Sequence, residues 1–308
     1  MLKLHPVYGN TFAIETETAF LPFYQLNTRE IILLDTGRAT DREALEECLS
    51  AYDFQVKGII CSHAHMDHVG NVQYFRDFYD CRVAAHVIEA NIASTVGTFL
   101  THYRISTPDG KGGVEECFAT SDYLTSATRQ VIFCGVEFQI LQLPGHSGGH
   151  IGIVTPDYVA YLGDALMGFP ELAASKMPTT QYVRQDLESK RSLHKLQANA
   201  YVVAHKAILQ DIHLLVDANI NCYEGKARAI LRSLRDGSTI DKWLQVYCED
   251  QRLTVRTEDS FTILKYGFNN MVTYLKETAE VISQSTDNNL CYYRNIGQYT
   301  SLHSGIVL

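Results

Sequence analysis

Four side chains able to ligate a metal, His63, His65, Asp67 and His68, lie within the six-residue segment HAHMDH. The apolar run VKGII precedes them almost directly, so a strand should deliver them into a loop where they can converge. On extended backbone the period of two puts His63 and His65 on one side, while Asp67 and His68 fall where the chain turns into a helix. Two distinct metal positions become feasible. Neutral imidazoles and a carboxylate suit zinc, with iron, manganese or cobalt as alternatives. A lone histidine is usually an ordinary hydrogen-bonded polar residue, but four ligand types at this spacing call for metal binding. The helix-borne H-E-x-x-H motif does not occur, which excludes that kind of metalloprotease site.

Further elements follow in order: LPGHSGGH with His146, YLGDAL with Asp164 and VVAHKAI with His205, while LLDTG upstream contains Asp35 and Gly37. With this series the sequence resembles the metallo-β-lactamase-fold superfamily, whose hallmark is H-x-H-x-D-H at a strand-to-loop junction. The resemblance runs over roughly residues 5 to 210. It implies that His63, His65 and His146 hold one metal, that Asp67, His68 and His205 hold the other, and that Asp164 bridges both. Asp35 would support the metal loop rather than ligate. The resemblance also implies an α/β fold, a four-layer αββα sandwich with the site at one edge. One departure is that Ala204 and Lys206 flank His205, where many relatives have glycines.

Two divalent cations about 3.5 to 4 Å apart can share one water, lower its pKa and hold hydroxide as the nucleophile. Asp67 is the catalytic candidate, orienting that hydroxide. The ligand set is similar to the glyoxalase II and lactonase branches, so the expected reaction is attack on an ester, thioester or lactone carbonyl of a small molecule. A phosphodiesterase using the same pair is the alternative, and a metal-dependent DNA-binding regulator is a reading of a different class. Structural zinc sites usually close with four ligands, whereas seven shared by two metals leave room for water, which disfavours the regulator.

Nearby residues have plainer readings. His150 is expected to support rather than ligate, His86 to end a strand, Cys61 to be a buried strand thiol, and His194 and His213 to lie on the surface. Lys206 is read as facing solvent.

Such a site needs a scaffold of strands. VYGNTFAIET, EIILLDTG and VKGIICSH read as strands, DREALEECLSAYD and NVQYFRDFYD as helices, and CRVAAH as another strand. The stretch from about 87 to 129 lacks a sustained period and is read as an insertion, a lid or a surface elaboration. QVIFCG, VEFQILQLPG, HIGIVTP and DYVAYLGDAL resume the strands, and a helix around Gln185 to Gln197 precedes NAYVVAHKAI. The hydrolase-like domain is placed at 1–220. A small helical domain follows at 221–308, resembling the winged-helix-like domains appended to some members of the superfamily, with Leu231, Leu234, Trp243, Leu244, Met271, Tyr274 and Leu275 as its core.

The 46% hydrophobic and 20% charged residues are those of a globular protein. A net charge of -9 argues against a polynucleotide or anionic membrane partner. The tail itself is balanced, ten basic residues against ten acidic from Asn221 onward, with no basic recognition stripe. Its expected roles are packing, walling the substrate or forming a homodimer. Eight scattered cysteines without a C-x-x-C pair, no signal-like apolar opening and no run near 20 apolar residues lead to a cytoplasmic expectation.

Overall fold

A computed structural model of the chain describes residues 2–103 and 117–295. Strands β1 (Lys3–Tyr8), β2 (Thr11–Glu15), β3 (Phe20–Gln25) and β4 (Glu30–Leu34) form an antiparallel meander, after which helix α1 (Arg42–Ala51) returns the chain to β5 (Gln55–Ile60), parallel to β4. Helices α2 (Met66–Val69) and α3 (Val72–Tyr79) lead to β6 (Arg82–His86). Helices α4 (Val87–Ile92) and α5 (Val96–Tyr103) follow, and β7 (Asp122–Leu124) completes a seven-stranded sheet in chain order. The second sheet begins with β8 (Gln130–Phe133), β9 (Val136–Gln142), β10 (Ile151–Val154) and β11 (Val159–Tyr161). After α6 (Phe169–Ala174) and α7 (Val183–Ser192), it ends with β12 (Ala200–Val203) and β13 (Ala207–Leu209), in the order β13-β12-β11-β10-β9-β8.

Strand periodicity explains the layering. Along β4, Ile31 and Leu33 pack outward with Leu45, Leu49 and Phe75 of α1 and α3. The alternate residues Ile32 and Leu34 face inward, into a core shared with Phe138, Ile140, Ile151 and Ile153 of the opposite sheet. A third cluster, with Leu162 and Val203, lies beneath Leu215 and Val216 on the far side of the second sheet. Helix, sheet, sheet and helix therefore stack as the expected αββα sandwich, each fully buried aliphatic side chain contributing roughly 1.5–3 kcal/mol.

The region expected as an insertion is built into this framework where it is described. Its helices α4 and α5 cover the first sheet, and β7 pairs with β6. Residues 104–116 lie outside the described residues.

The tail comprises α8 (His213–Ser233), β14 (Ser238–Thr239), α9 (Ile240–Asp250), α10 (Glu258–Glu277), β15 (Val281–Thr286) and β16 (Asn289–Arg294). It is not purely helical: β14, β16 and β15 make a small antiparallel sheet. Leu234, Trp243, Leu244, Met271 and Leu275 are buried in its core and Leu231 and Tyr274 pack against it, as expected. The boundary expected at residue 220 falls inside α8. That helix packs Leu215 and Val216 onto the second sheet and Tyr223 and Ile230 into the tail core, which also takes in Met177, Val183 and Leu187 from the sandwich side. No helix among the described residues is long and apolar enough to cross a membrane.

Candidate metal centre

Five of the predicted ligands lie in loops that follow strands and two, Asp67 and His68, lie in the short helix α2, all at one edge of the sandwich. His63, His65, Asp67 and His68 follow β5, His146 follows β9, Asp164 follows β11 and His205 follows β12. His63 Nε2 and His146 Nε2 each lie 2.9 Å from His65 Nδ1. Asp164 Oδ2 sits 3.2 Å from His146 Nε2 and 3.9 Å from His63 Nε2. The other oxygen, Oδ1, lies 3.2 Å from His68 Nε2 and 3.4 Å from His205 Nε2. Asp67 Oδ2 is 3.6 Å from His205 Nε2. All seven residues come together, and the atoms of His63, His65, His146 and Asp164 on one side, and of Asp67, His68 and His205 on the other, each lie within 4.8 Å of one another.

Two buried atoms in this cluster, His68 Nε2 and Asp164 Oδ1, have no hydrogen-bond partner. Leaving such atoms unsatisfied is costly, and a divalent cation between imidazole and carboxylate is what this donor set accommodates. The residues therefore fit a metal.

Asp35 is equally close but differently employed. Its Oδ1 accepts from the Ser62 backbone N–H at 2.7 Å, and its Oδ2 accepts from the hydroxyls of Ser62 and Tyr161, each at 2.6 Å. His68 Nδ1 also meets Oδ2, at 2.8 Å. With its oxygens occupied, Asp35 orients His68 so that Nε2 faces the cluster. Ser62 Oγ, 2.9 Å from His63 Nδ1, does the same for that ring.

Glu89 escaped the sequence reading. Buried on α4, it accepts from the Ala64 N–H (2.9 Å) through Oε2 and from the Ser147 hydroxyl (2.8 Å) and Gly149 N–H (2.7 Å) through Oε1. One carboxylate thus ties the HAHMDH loop to the His146 loop. His150 acts similarly, its Nε2 accepting from the Asp164 N–H at 3.0 Å. Gly163 must be glycine, because its φ is +49° and a Cβ would lie 2.7 Å from His150 Nε2.

The remaining residues take their plainer roles. His86 caps α4, Cys61 is fully buried, and Lys206 pairs with Glu15 at 3.8 Å. His213 lies on the surface with Asp211, and His194 reaches Asp217 at 3.1 Å. Arg38, half exposed, lies 4.0 Å from Asp67 Oδ2.

The electrostatics separate the two sides. Burial, reinforced by His146, drives His65 down to about 3, and burial with His68 and His65 likewise holds His63 well below its ordinary value. Both shifts favour the neutral ring, the form that can ligate a metal. Asp164 instead pushes His205 up to about 9 against the opposing effect of burial. Burial also opposes charge on His68, but Asp164 and Asp35 outweigh it and raise that ring well above its usual value. For Asp164 itself burial favours the neutral acid, yet His68, His146 and His205 together hold the carboxyl far below the usual range.

Two face-to-face sheets flanked by helices, with a divided histidine and aspartate cluster at one edge, define a recognisable class of fold and site. The chain belongs to the metallo-beta-lactamase superfamily, whose family model matches residues 23–205. Over 141 residues, 46% of this chain, it is 30% identical to a hydroxyacylglutathione hydrolase of Aliivibrio fischeri, spanning 44% of that protein. A similar protein of Haemophilus influenzae is 23% identical over 44% of this chain and 60% of its own length. The chain thus matches less than two thirds of these relatives. Among solved structures, a metallo-beta-lactamase family protein of Thermus thermophilus superposes with a TM-score of 0.67 at 19% identity, covering 96% of this chain and 98% of that one. A beta-lactamase domain protein of Burkholderia ambifaria gives 0.71 at 12%, covering 95% and 93%. These coverages extend the shared fold through the tail.

Proposed function

We propose that this chain is a metal-dependent hydrolase that binds two divalent cations, zinc foremost with iron or manganese as alternatives, and cleaves an ester, thioester or lactone of a small molecule. The observation that carries this reading is the division of Asp164, whose two oxygens address two different sets of imidazoles. His63, His65 and His146 would hold one cation, Asp67, His68 and His205 the other, and Asp164 would touch both. Bound there, the cations supply Lewis acidity and a water made nucleophilic near neutral pH.

The chain's own residues do the positioning. Asp35 and Ser62 fix the orientation of His68 and His63, Glu89 holds the two histidine loops in register, and His150 sets the backbone of Asp164. Asp67 has a partly open carboxylate on the rim of the cluster, placed to orient a water and hold its proton. The name of the curated relatives, hydroxyacylglutathione hydrolase, supports an acyl carbonyl as the target. The tail core takes in Met177 and, from α7, Val183 and Leu187, which favours a supporting or walling role for it over reading nucleic acid. The test is a turnover panel of thioesters, lactones and phosphodiesters on protein of measured metal content, with Asp67→Ala as control. Cleavage of a carbonyl substrate that falls in the variant is expected. No turnover at two metals per chain rejects the proposal.

A further inference from the structure

Outside the metal cluster, α7 buries an ion pair: Lys190 Nζ donates to Asp186 Oδ2 at 2.6 Å, with each side chain 1% exposed. Asp186 Oδ1 has no hydrogen-bond partner among the described residues, and the Lys190 ammonium lies 4.4 Å from the Tyr223 ring of α8. Withdrawing two charges from water offsets most of their attraction, so such a pair is weak evidence for stability and asks for another role. Its position supplies one. Gly145, whose φ is +137°, lies so close to α7 that a Cβ on it would fall 2.2 Å from both the N and the Cα of Asp186.

The turn pressed against Asp186 ends in a predicted ligand, His146, and each of its three carbonyls is claimed. Ser189 Oγ–H donates to the Pro144 carbonyl at 2.7 Å, Tyr182 N–H to that of Gly145 at 2.9 Å and Gln181 N–H to that of His146 at 3.2 Å. The segment that leads into α7 is in turn held by the tail. Asn270 Nδ2 of α10 donates to the Thr180 carbonyl at 2.8 Å. A Cβ on Gly267, also of α10, would fall 2.4 Å from the Pro178 carbonyl oxygen and 2.5 Å from Met177 Cγ. Glycine inside a helix weakens it relative to alanine, so what Gly267 supplies is close approach. Two tail helices thus converge on one turn, α8 through Tyr223 and α10 through Gly267 and Asn270. The other half-site is anchored within the sandwich: Thr36 N–H donates to the His68 carbonyl at 2.7 Å, and His205 Nδ1 faces the Thr18 carbonyl at 3.3 Å.

We propose that Asp186, Lys190 and Gly267 are positioning residues for His146, through which the tail fixes the half-site of His63, His65 and His146 and leaves that of Asp67, His68 and His205 alone. The selectivity rests on the two-cation reading above. The clamp on the turn is a property of the metal-free chain.

The experiment uses the full chain, stripped of metal, with two readouts. Hydrogen exchange of the Gln181 and Tyr182 amides follows the clamp without any metal. Cobalt(II), titrated in competition with a chelator, gives a dissociation constant for each half-site. Lys190→Met leaves Asp186 buried without its cation, and Gly267→Ala forces α10 off the 177–178 segment. Each should speed exchange of the two amides by at least about tenfold, as a local opening does. Each should also raise one cobalt Kd by roughly 10- to 100-fold, the loss typical of an outer support, and hold the other within about a factor of two. In a His146→Ala background, where that half-site has already lost its ligand, neither should weaken cobalt further. Leu244→Ala, a cavity in the α9 part of the tail core, is the control for general destabilisation and should change neither Kd. Asn270→Ala removes a single hydrogen bond and replaces either variant that does not fold.

Unchanged exchange in the folded variants overturns the proposal. So does equal weakening of both cobalt sites, or the same loss in Leu244→Ala, because the tail would then give general support only. Stripped protein that takes up fewer than two cobalt ions defeats the two-cation reading instead, and the exchange rates alone then decide the clamp.

Discussion

Asp164 turns Oδ2 toward His146 Nε2 at 3.2 Å and reserves Oδ1 for the opposite side of the cluster, where it lies 3.2 Å from His68 Nε2. One side chain therefore faces two half-sites, each assembled from residues that follow both sheets. Asp164→Asn keeps the shape but replaces one oxygen by an amide that cannot ligate. Metal content measured by plasma mass spectrometry is expected to drop below two per chain. Activity should fall by more than the roughly 10- to 100-fold typical of losing an outer hydrogen-bond partner. Full occupancy with full activity would refute the bridging role.

Glu89→Ala leaves the Ala64 and Gly149 N–H groups and the Ser147 hydroxyl without their acceptor. Each unsatisfied buried donor costs about 1–3 kcal/mol, so a clear fall in denaturation midpoint is expected. A merely structural loss would stop there. Metal affinity should also weaken, by roughly 10- to 100-fold, because the two histidine loops are no longer held to each other. Competition against a chromophoric chelator reads that number directly.

Proton release should accompany metal uptake. In metal-stripped protein His205, raised to about 9 by Asp164, carries a proton at neutral pH and must lose it to ligate. Affinity at that half-site is expected to climb with pH up to about 9, and calorimetry in buffers of different ionisation enthalpy counts the protons. Stability of the stripped protein runs the other way. A histidine with a raised folded-state pKa contributes fully below its unfolded value, near 6.5, and that contribution is lost as pH rises through about 9. A stripped protein that gains stability from pH 7 to 9 would contradict this.

The single tryptophan, Trp243, sits fully buried in the tail core and donates Nε1–H to the Ile230 carbonyl at 2.9 Å. Its fluorescence therefore reports on the tail alone. Because that core takes in Met177 and, from α7, Val183 and Leu187, fluorescence, far-UV dichroism and loss of activity should follow one coincident denaturant transition. Leu275→Ala should shift all three together by about 2–5 kcal/mol. A fluorescence transition that precedes the others would show an independent tail.

Arg38 faces a carboxylate that ligation of a cation would engage. Its guanidinium is then available to an anionic group on a ligand. Arg38→Met is expected to raise KM for anionic esters by a few-fold, in keeping with a half-exposed charge, and to leave neutral esters within a factor of two. Equal effects on both would remove the charge argument.

That the candidate ligands gather at one edge was legible because their short motifs follow apolar strands, whose ends the sheets bring together. Glu89 was not, since its partners lie 25 and 60 residues away and nothing around it departs from an ordinary helix. The αββα layering was expected from the family resemblance, since a run such as EIILL is apolar on both faces and does not by itself say which side meets helices and which the other sheet. The tail sheet was missed because VISQST is polar and largely exposed, without a buried face to impose the period of two. A signal existed in Asp287 and Asn288, both at positive φ, the residue types a two-residue hairpin turn selects. The boundary expected at residue 220 has no break in the backbone to mark it, since α8 runs unbroken from His213 to Ser233.

That continuity has a practical side. A chain cut at residue 220 would end partway along α8, stripping the second sheet's covering helix of its C-terminal turns and removing Tyr223 from above the Lys190 ammonium, which sits 4.4 Å from its ring. It would also uncover Met177, Val183 and Leu187. Anyone wishing to graft this active site onto another protein would have to take the tail with it, because the molecule has one helix doing duty as both its last layer and its first step beyond.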